Sequence, residues 1–125
     1  MTIKKKLKSS IAASVSVATV GTVGLVGAGN AVAFPEYGMG GLCPNASALA
    51  SYISGNYPGV QSIGGVRQDR LPDHPSGHAI DIMIGNNMGL GDAIAADMRS
   101  NGNFGIKYVL WRVKDHFNHV HVTVF

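Results

Sequence analysis

The sequence predicts a single α+β domain with a mainly antiparallel sheet and helices packed on it. Two stretches, Ala46 to Ser54 and Leu90 to Ser100, carry apolar residues at helical spacing. Four short segments read as strands, and they sit next to one another rather than alternating strictly with helices, which argues against a doubly wound parallel sheet. About ninety residues follow the N-terminal leader described below, enough for one modest core. Repeats, heptads and phosphate-binding loops are absent, and Gly89-x-Gly91 is too short for a dinucleotide fingerprint.

The elements follow in order. Residues 34–44, rich in glycine, read as an extended lead-in to a domain spanning 45–125. Ala46, Leu49, Ala50 and Ile53 define the buried stripe of the first helix, with Asn45 as its expected N-cap and Tyr57-Pro58-Gly59 as its stop. Val60 to Val66 is the first strand and Ile80 to Ile84 the second. The helix from Leu90 to Ser100 stops near Gly102, Lys107 to Val113 forms the third strand, and His119 to Phe125 closes the sheet.

Two of these strands carry polar groups that an ordinary core strand would not. Pro75 and Gly77 disfavour a helix through His74, so His74 belongs on a turn that feeds the apolar run after Ala79. Within that run Asp81 faces opposite to Ile80 and Ile82. In the last strand Val120, Val122 and Val124 share one face, and His119 and His121 share the other. His74, Asp81 and His121 thus offer two imidazoles and a carboxylate. Three such ligands with a fourth position left for water or substrate suit catalytic zinc, whereas a lone cysteine excludes a four-thiolate site. Five histidines in a small protein are also compatible with ordinary surface and core roles, and it is order and spacing that single out these three.

His74, Gly77, Ala79 and Asp81 fit the pattern H-x-x-G-x-A-x-D, and His119-x-His121 fits H-x-H. Gly64-Gly65-Val66-Arg67 lies upstream, and Tyr108-Val109-Leu110-Trp111-Arg112 precedes the closing strand. In these features the chain resembles the lysostaphin, D-Ala-D-Ala metallopeptidase and hedgehog group, most of all its small secreted actinobacterial D,D-carboxypeptidase-like domains, over roughly residues 45–125. The resemblance implies a zinc site on the sheet, with His74, Asp81 and His121 as metal ligands, His119 as the acid/base residue and Arg67 as the group that steadies the oxyanion. It also implies a peptidase acting on peptidoglycan peptides. The chain departs from many members at three places: Pro72 stands where they have serine, Asn118 where they have a glutamate base, and the loop before His119 is short. Glu36 is the only glutamate of the chain. These departures support the alternative of a non-catalytic zinc module that binds wall peptide or a protein partner.

The remaining polar and aromatic residues have plainer expectations. His78 and His116 fall outside the pattern and are expected to be solvated. Asp69, Arg70 and Asp73 read as a mixed-charge solvated loop, and Tyr108 and Trp111 as the edge of a core.

Residues 1–33 have a lysine-rich start, a small and apolar middle from Ile11 to Ala28, and an Ala31-Val32-Ala33 end, which together read as a signal peptide. A retained membrane anchor is the competing reading, since the apolar middle approaches the ~20 residues that span a bilayer; its Gly, Ser and Thr content and the A-x-A end favour cleavage. Secretion to the cell envelope, without stable membrane insertion, is therefore expected. Removal of the leader takes four of the ten basic residues and leaves six against seven acidic ones, a formal charge of −1. That balance gives no reason to expect nucleic-acid binding. Cys43 has no intrachain partner for a disulfide, and a monomer is expected.

Overall fold

The apolar periodicities of the sequence resolve into two layers. The computed structural model describes residues 34–125, which fall within one compact unit; the leader expected over 1–33 lies outside the described residues. The elements are β1 (Glu36–Tyr37), α1 (Pro44–Asn56), β2 (Ser62–Gly64), β3 (Ala79–Met83), α2 (Met88–Ser100), β4 (Ile106–Leu110) and β5 (His119–Val124). They build a five-stranded sheet in the order β1-β2-β3-β5-β4. β1 runs parallel to β2 and every other pairing is antiparallel, so the sheet is mixed. Among the described residues no helix is long and apolar enough to cross a membrane.

Alternation along the strands sorts their side chains. Ile80 and Ile82 of β3 and Val120 and Val122 of β5 are completely buried, and they join Leu49 and Ile53 of α1 and Ile94 and Met98 of α2 in one cluster. Burying each such side chain contributes about 1.5–3 kcal/mol, so this face holds the two layers together. The opposite face of the same strands carries Asp81, His119, His121 and Thr123.

Several boundaries differ from expectation for local reasons. α1 begins at Pro44, and its N-cap is Cys43 rather than Asn45. Proline suits the first helical position because the N–H it lacks would have no partner there; the Asn45 amide instead donates to the carbonyl of Phe125 at 3.4 Å. α2 begins at Met88, two residues early, because the side chain of Asn87 caps it by accepting from the Leu90 N–H at 3.2 Å. The lead-in contains β1, whose Tyr37 carbonyl accepts from the Gly65 N–H at 2.8 Å. β5, the last strand in sequence, lies between β3 and β4.

The expected strand over Lys107–Val113 ends at Leu110. Trp111 turns into the core, where its ring lies so close to α2 that a Cβ on Gly91 would collide with it, and its indole N–H donates to Asp92 at 2.8 Å. Arg112 then takes φ 56 and pairs with Asp92 at 2.8 Å, which breaks the ladder and starts the loop that leads to β5.

Candidate metal centre

Register places the central pair. Asp81 of β3 and His121 of β5 are direct cross-strand partners, and His119 stands opposite Met83 one step along the same face. His74 comes from the turn before β3. That turn is closed by hydrogen bonds from the Ser76 N–H to Pro72 and from the His78 N–H to Asp73. Gly77 serves it twice: its φ is +80, and a Cβ there would strike the carbonyl of Gly41 in the lead-in. Its own carbonyl accepts from the Cys43 N–H at 2.9 Å, which ties the turn to the start of α1.

His74, Asp81 and His121 converge with ligand atoms within 4.8 Å of one another, and all three are buried. One carboxylate oxygen of Asp81 lies 3.2 Å from His74 Nε2 and 3.0 Å from Arg67 Nη2; the other lies 3.0 Å from His121 Nδ1 and 3.7 Å from His119 Nε2. The rings of His74 and His121 meet edge to face at 5.0 Å.

The proton on His74 can be placed by counting donors. Nδ1 lies 2.9 Å from the carbonyl of Gly65, which only accepts, so Nδ1 carries the hydrogen. In the neutral ring Nε2 is then a lone pair. It is fully buried, has no hydrogen-bond partner, and faces an oxygen of Asp81 that also has only lone pairs to offer. Such an arrangement is costly unless a cation sits between the two groups. A proton on Nε2 would serve, and so would a metal ion. The donor set of two imidazoles and a carboxylate fits a metal, and the Nδ1–H to carbonyl bond behind His74 is the support expected of a ligating histidine. The cluster can therefore hold a metal ion.

The electrostatics set the charge of the same groups. Burial alone would raise the Asp81 carboxyl, but the imidazoles of His121, His74 and His119 hold it well below the usual carboxylate range, so it stays ionised. Burial opposes protonation of His74, yet the contacts with Asp81 prevail and its pKa is raised. His119 moves the other way: burial, with help from His116, His121 and Arg67, outweighs Asp81 and lowers it. Its Nδ1 lies 2.7 Å from Asn118 Oδ1, an acceptor, which leaves Nε2 as a free lone pair on the cleft side of Asp81.

His74, His119 and His121 line a cleft of about 380 Å³ whose walls also include Arg67, Leu71, Tyr108 and His116. Of the residues singled out in the sequence, the structure brings together Arg67, His74, Asp81, His119 and His121. Arg67 does so as an ion-pair partner of Asp81. Three other expectations need correction. His116 is not a solvated bystander: it lies on a loop rather than a strand, with its ring 4.8 Å from His119 and 5.8 Å from His121. Tyr108 stacks on His121 at 5.9 Å in the cleft, whereas Trp111 does belong to the core. Asp73 is not merely solvated, since it accepts hydrogen bonds from Tyr108 and Thr123. His78 stands apart, with Nδ1 3.0 Å from Ser76 Oγ.

The signal for His116 was weak because backbone geometry places it. Arg112 and Asp115 both adopt positive φ, and the Arg112 N–H donates to the His116 carbonyl at 3.0 Å. Left-handed conformations at residues other than glycine leave little trace in a sequence.

Comparison with known proteins gives one family match. The family model for VldE, C-terminal domain, covers residues 38–118, more than half of the chain. The matched stretch includes Arg67, His74 and Asp81 and ends one residue before β5. No curated protein and no solved structure matches the chain. The chain belongs to the family of the VldE C-terminal domain.

Proposed function

We propose that this protein is a zinc-dependent peptidase of the lysostaphin, D-Ala-D-Ala metallopeptidase and hedgehog kind, exported and acting on the peptide portion of bacterial cell-wall peptidoglycan. The observation that carries the reading is the buried, partnerless Nε2 of His74 aimed at Asp81 beside His121. The finer fold assignment, to a hedgehog or D-Ala-D-Ala peptidase-like sheet, belongs to the same proposal; ligands on adjacent antiparallel strands support it.

His74 Nε2, an oxygen of Asp81 and His121 Nδ1 would hold the ion. When bound, zinc supplies Lewis acidity, which polarises a carbonyl and lets water act as a nucleophile at neutral pH. Around it, His119 offers a neutral imidazole whose free Nε2 can accept and return a proton. His116, packed against it, is a second imidazole within the cleft. The half-exposed guanidinium of Arg67 can meet the negative charge that develops on a carbonyl oxygen. Leu71 and Tyr108 give the cleft apolar walls for a peptide side chain.

A second reading has its own observation. Glu36, the only glutamate, lies on β1 with its carboxylate accepting from Ser54 at 2.6 Å, so no glutamate serves the cleft. A zinc-bearing module that binds wall peptide without cutting it would need none. The two readings separate when zinc-loaded protein is incubated with purified peptidoglycan, with and without chelator, and the products are identified by mass spectrometry. Chelator-sensitive release of D-alanine or cleavage of cross-links between pH 6 and 9 is the expected result. Binding to the wall with no such product would leave the binding module standing.

A further inference from the structure

We propose that Thr123 and Asp73 are positioning residues for His121: they fix its proton on Nε2 and so present Nδ1 as the lone pair that faces Asp81. The inference rests on the metal-site reading and extends it to residues outside the ligand set. His121 Nε2 lies 2.8 Å from Thr123 Oγ1, and Thr123 Oγ1 lies 2.9 Å from Asp73 Oδ2. A carboxylate only accepts, and a threonine hydroxyl has one hydrogen to give. If that hydrogen goes to Asp73, the oxygen has only lone pairs for His121, and Nε2 must be the donor. For a neutral ring no other assignment satisfies both contacts. Thr123 is almost completely buried, so no solvent molecule competes for the hydroxyl.

Tyr108 completes the arrangement. Its hydroxyl donates to the same oxygen of Asp73, and its ring lies parallel to that of His121, with an interplanar angle of 15°. Asp73 is thus held by two hydroxyls, from β4 and β5, whose residues are register partners. The need for it is electrostatic. Asp81, 3.0 Å from Nδ1, would draw the ring proton to that side and block the ligand position. Asp73, acting through Thr123, draws it to the other side. His74 has the same design with a backbone carbonyl in the supporting role.

The test measures zinc affinity of the full chain by competition with a chromophoric chelator. Thr123→Val keeps the shape and removes the acceptor, and should weaken zinc 10- to 100-fold, the usual cost of losing such a support. Thr123→Ser should restore most of it. Asp73→Ala should weaken binding too, because the freed hydroxyl can turn and donate to Nε2. The double variant Thr123→Val/Asp73→Ala should lose no more than Thr123→Val alone, since Asp73 acts through Thr123. Additive losses, or a Thr123→Val chain that binds zinc as well as the unsubstituted one, would overturn the proposal. A second measurement does not depend on metal. In side-chain nitrogen NMR spectra of the metal-free chain, neutral His121 should carry its proton on Nε2, and Asp73→Ala should move it towards Nδ1. A proton on Nδ1 in the unsubstituted chain refutes the relay. A chain that takes no zinc yet shows the expected shift would sink the metal reading and leave the relay intact.

Discussion

The two faces of β5 are built from interleaved residues of one six-residue strand, yet they do opposite work. Val120, Val122 and Val124 lie against the helices in an apolar cluster whose energy comes from area removed from water. His119, His121 and Thr123 lie on the other side, among polar groups whose lone pairs face one another. The first face can vary in detail while its volume and polarity are kept. The second cannot, because each imidazole has one nitrogen that donates to a fixed acceptor and one whose lone pair faces Asp81. A strand can therefore carry core packing and a cluster able to hold a metal ion at alternate positions, provided that neither face relies on the other's residues.

That separation can be broken most sharply at the ligands. His74→Ala, Asp81→Ala and His121→Ala should each abolish tight zinc binding, measured by chelator competition, while leaving the fold of the apolar face in place by circular dichroism. On the other face, Ile94→Ala should cost about 2–5 kcal/mol in denaturant unfolding, because the side chain is fully buried and its loss leaves a cavity between α2 and the sheet. Below the transition it should still bind one zinc. If it loses metal while folded, the two faces are coupled.

Smaller effects sharpen the picture within each face. His119→Ala should keep most zinc affinity but lower turnover on the order of 10²-fold or more, as expected when a positioned acid/base group is removed. Loss of the metal instead would make His119 a ligand. On the helix side, Tyr52 and Tyr57 both donate to Asp97 of α2, at 2.8 and 2.6 Å, and clasp the two helices together. Burial first and Asp97 second push the Tyr52 phenol up to about 12. A raised folded-state value means that its contribution is fully present below the ordinary tyrosine value of ~10 and is lost as pH rises through about 12. The denaturation midpoint should fall across that window, and Tyr52→Phe should flatten the fall. A drop of the same size in the Phe variant would assign the loss to other groups.

How legible each part was follows from what encodes it. The helices and the valine face are written in local periodicity: Leu49 with Ile53, and Val120 with Val122, announce their burial within a few residues. The ligand candidates were legible because strand parity puts His121 and Asp81 on polar faces and because Pro75 and Gly77 dictate a turn at His74. β1 was not, since a two-residue strand has no period and its pairing with β2 spans the intervening helix. Asp73 and Tyr108 looked like a loop charge and a core edge because the bond between them joins residues 35 apart. His116 depended on the left-handed turns at Arg112 and Asp115, and the place of β5 inside the sheet depended on packing that no single segment specifies.

A zinc titration of the metal-stripped chain asks whether the polar face of the sheet holds one metal ion. Binding should saturate at about one ion per chain with release of protons, because the ion replaces a proton between His74 and Asp81. The triple variant His74→Ala/Asp81→Ala/His121→Ala should bind none at that affinity. If the triple variant takes up zinc as well as the unsubstituted chain, or if the unsubstituted chain takes up none, the site is not a metal centre.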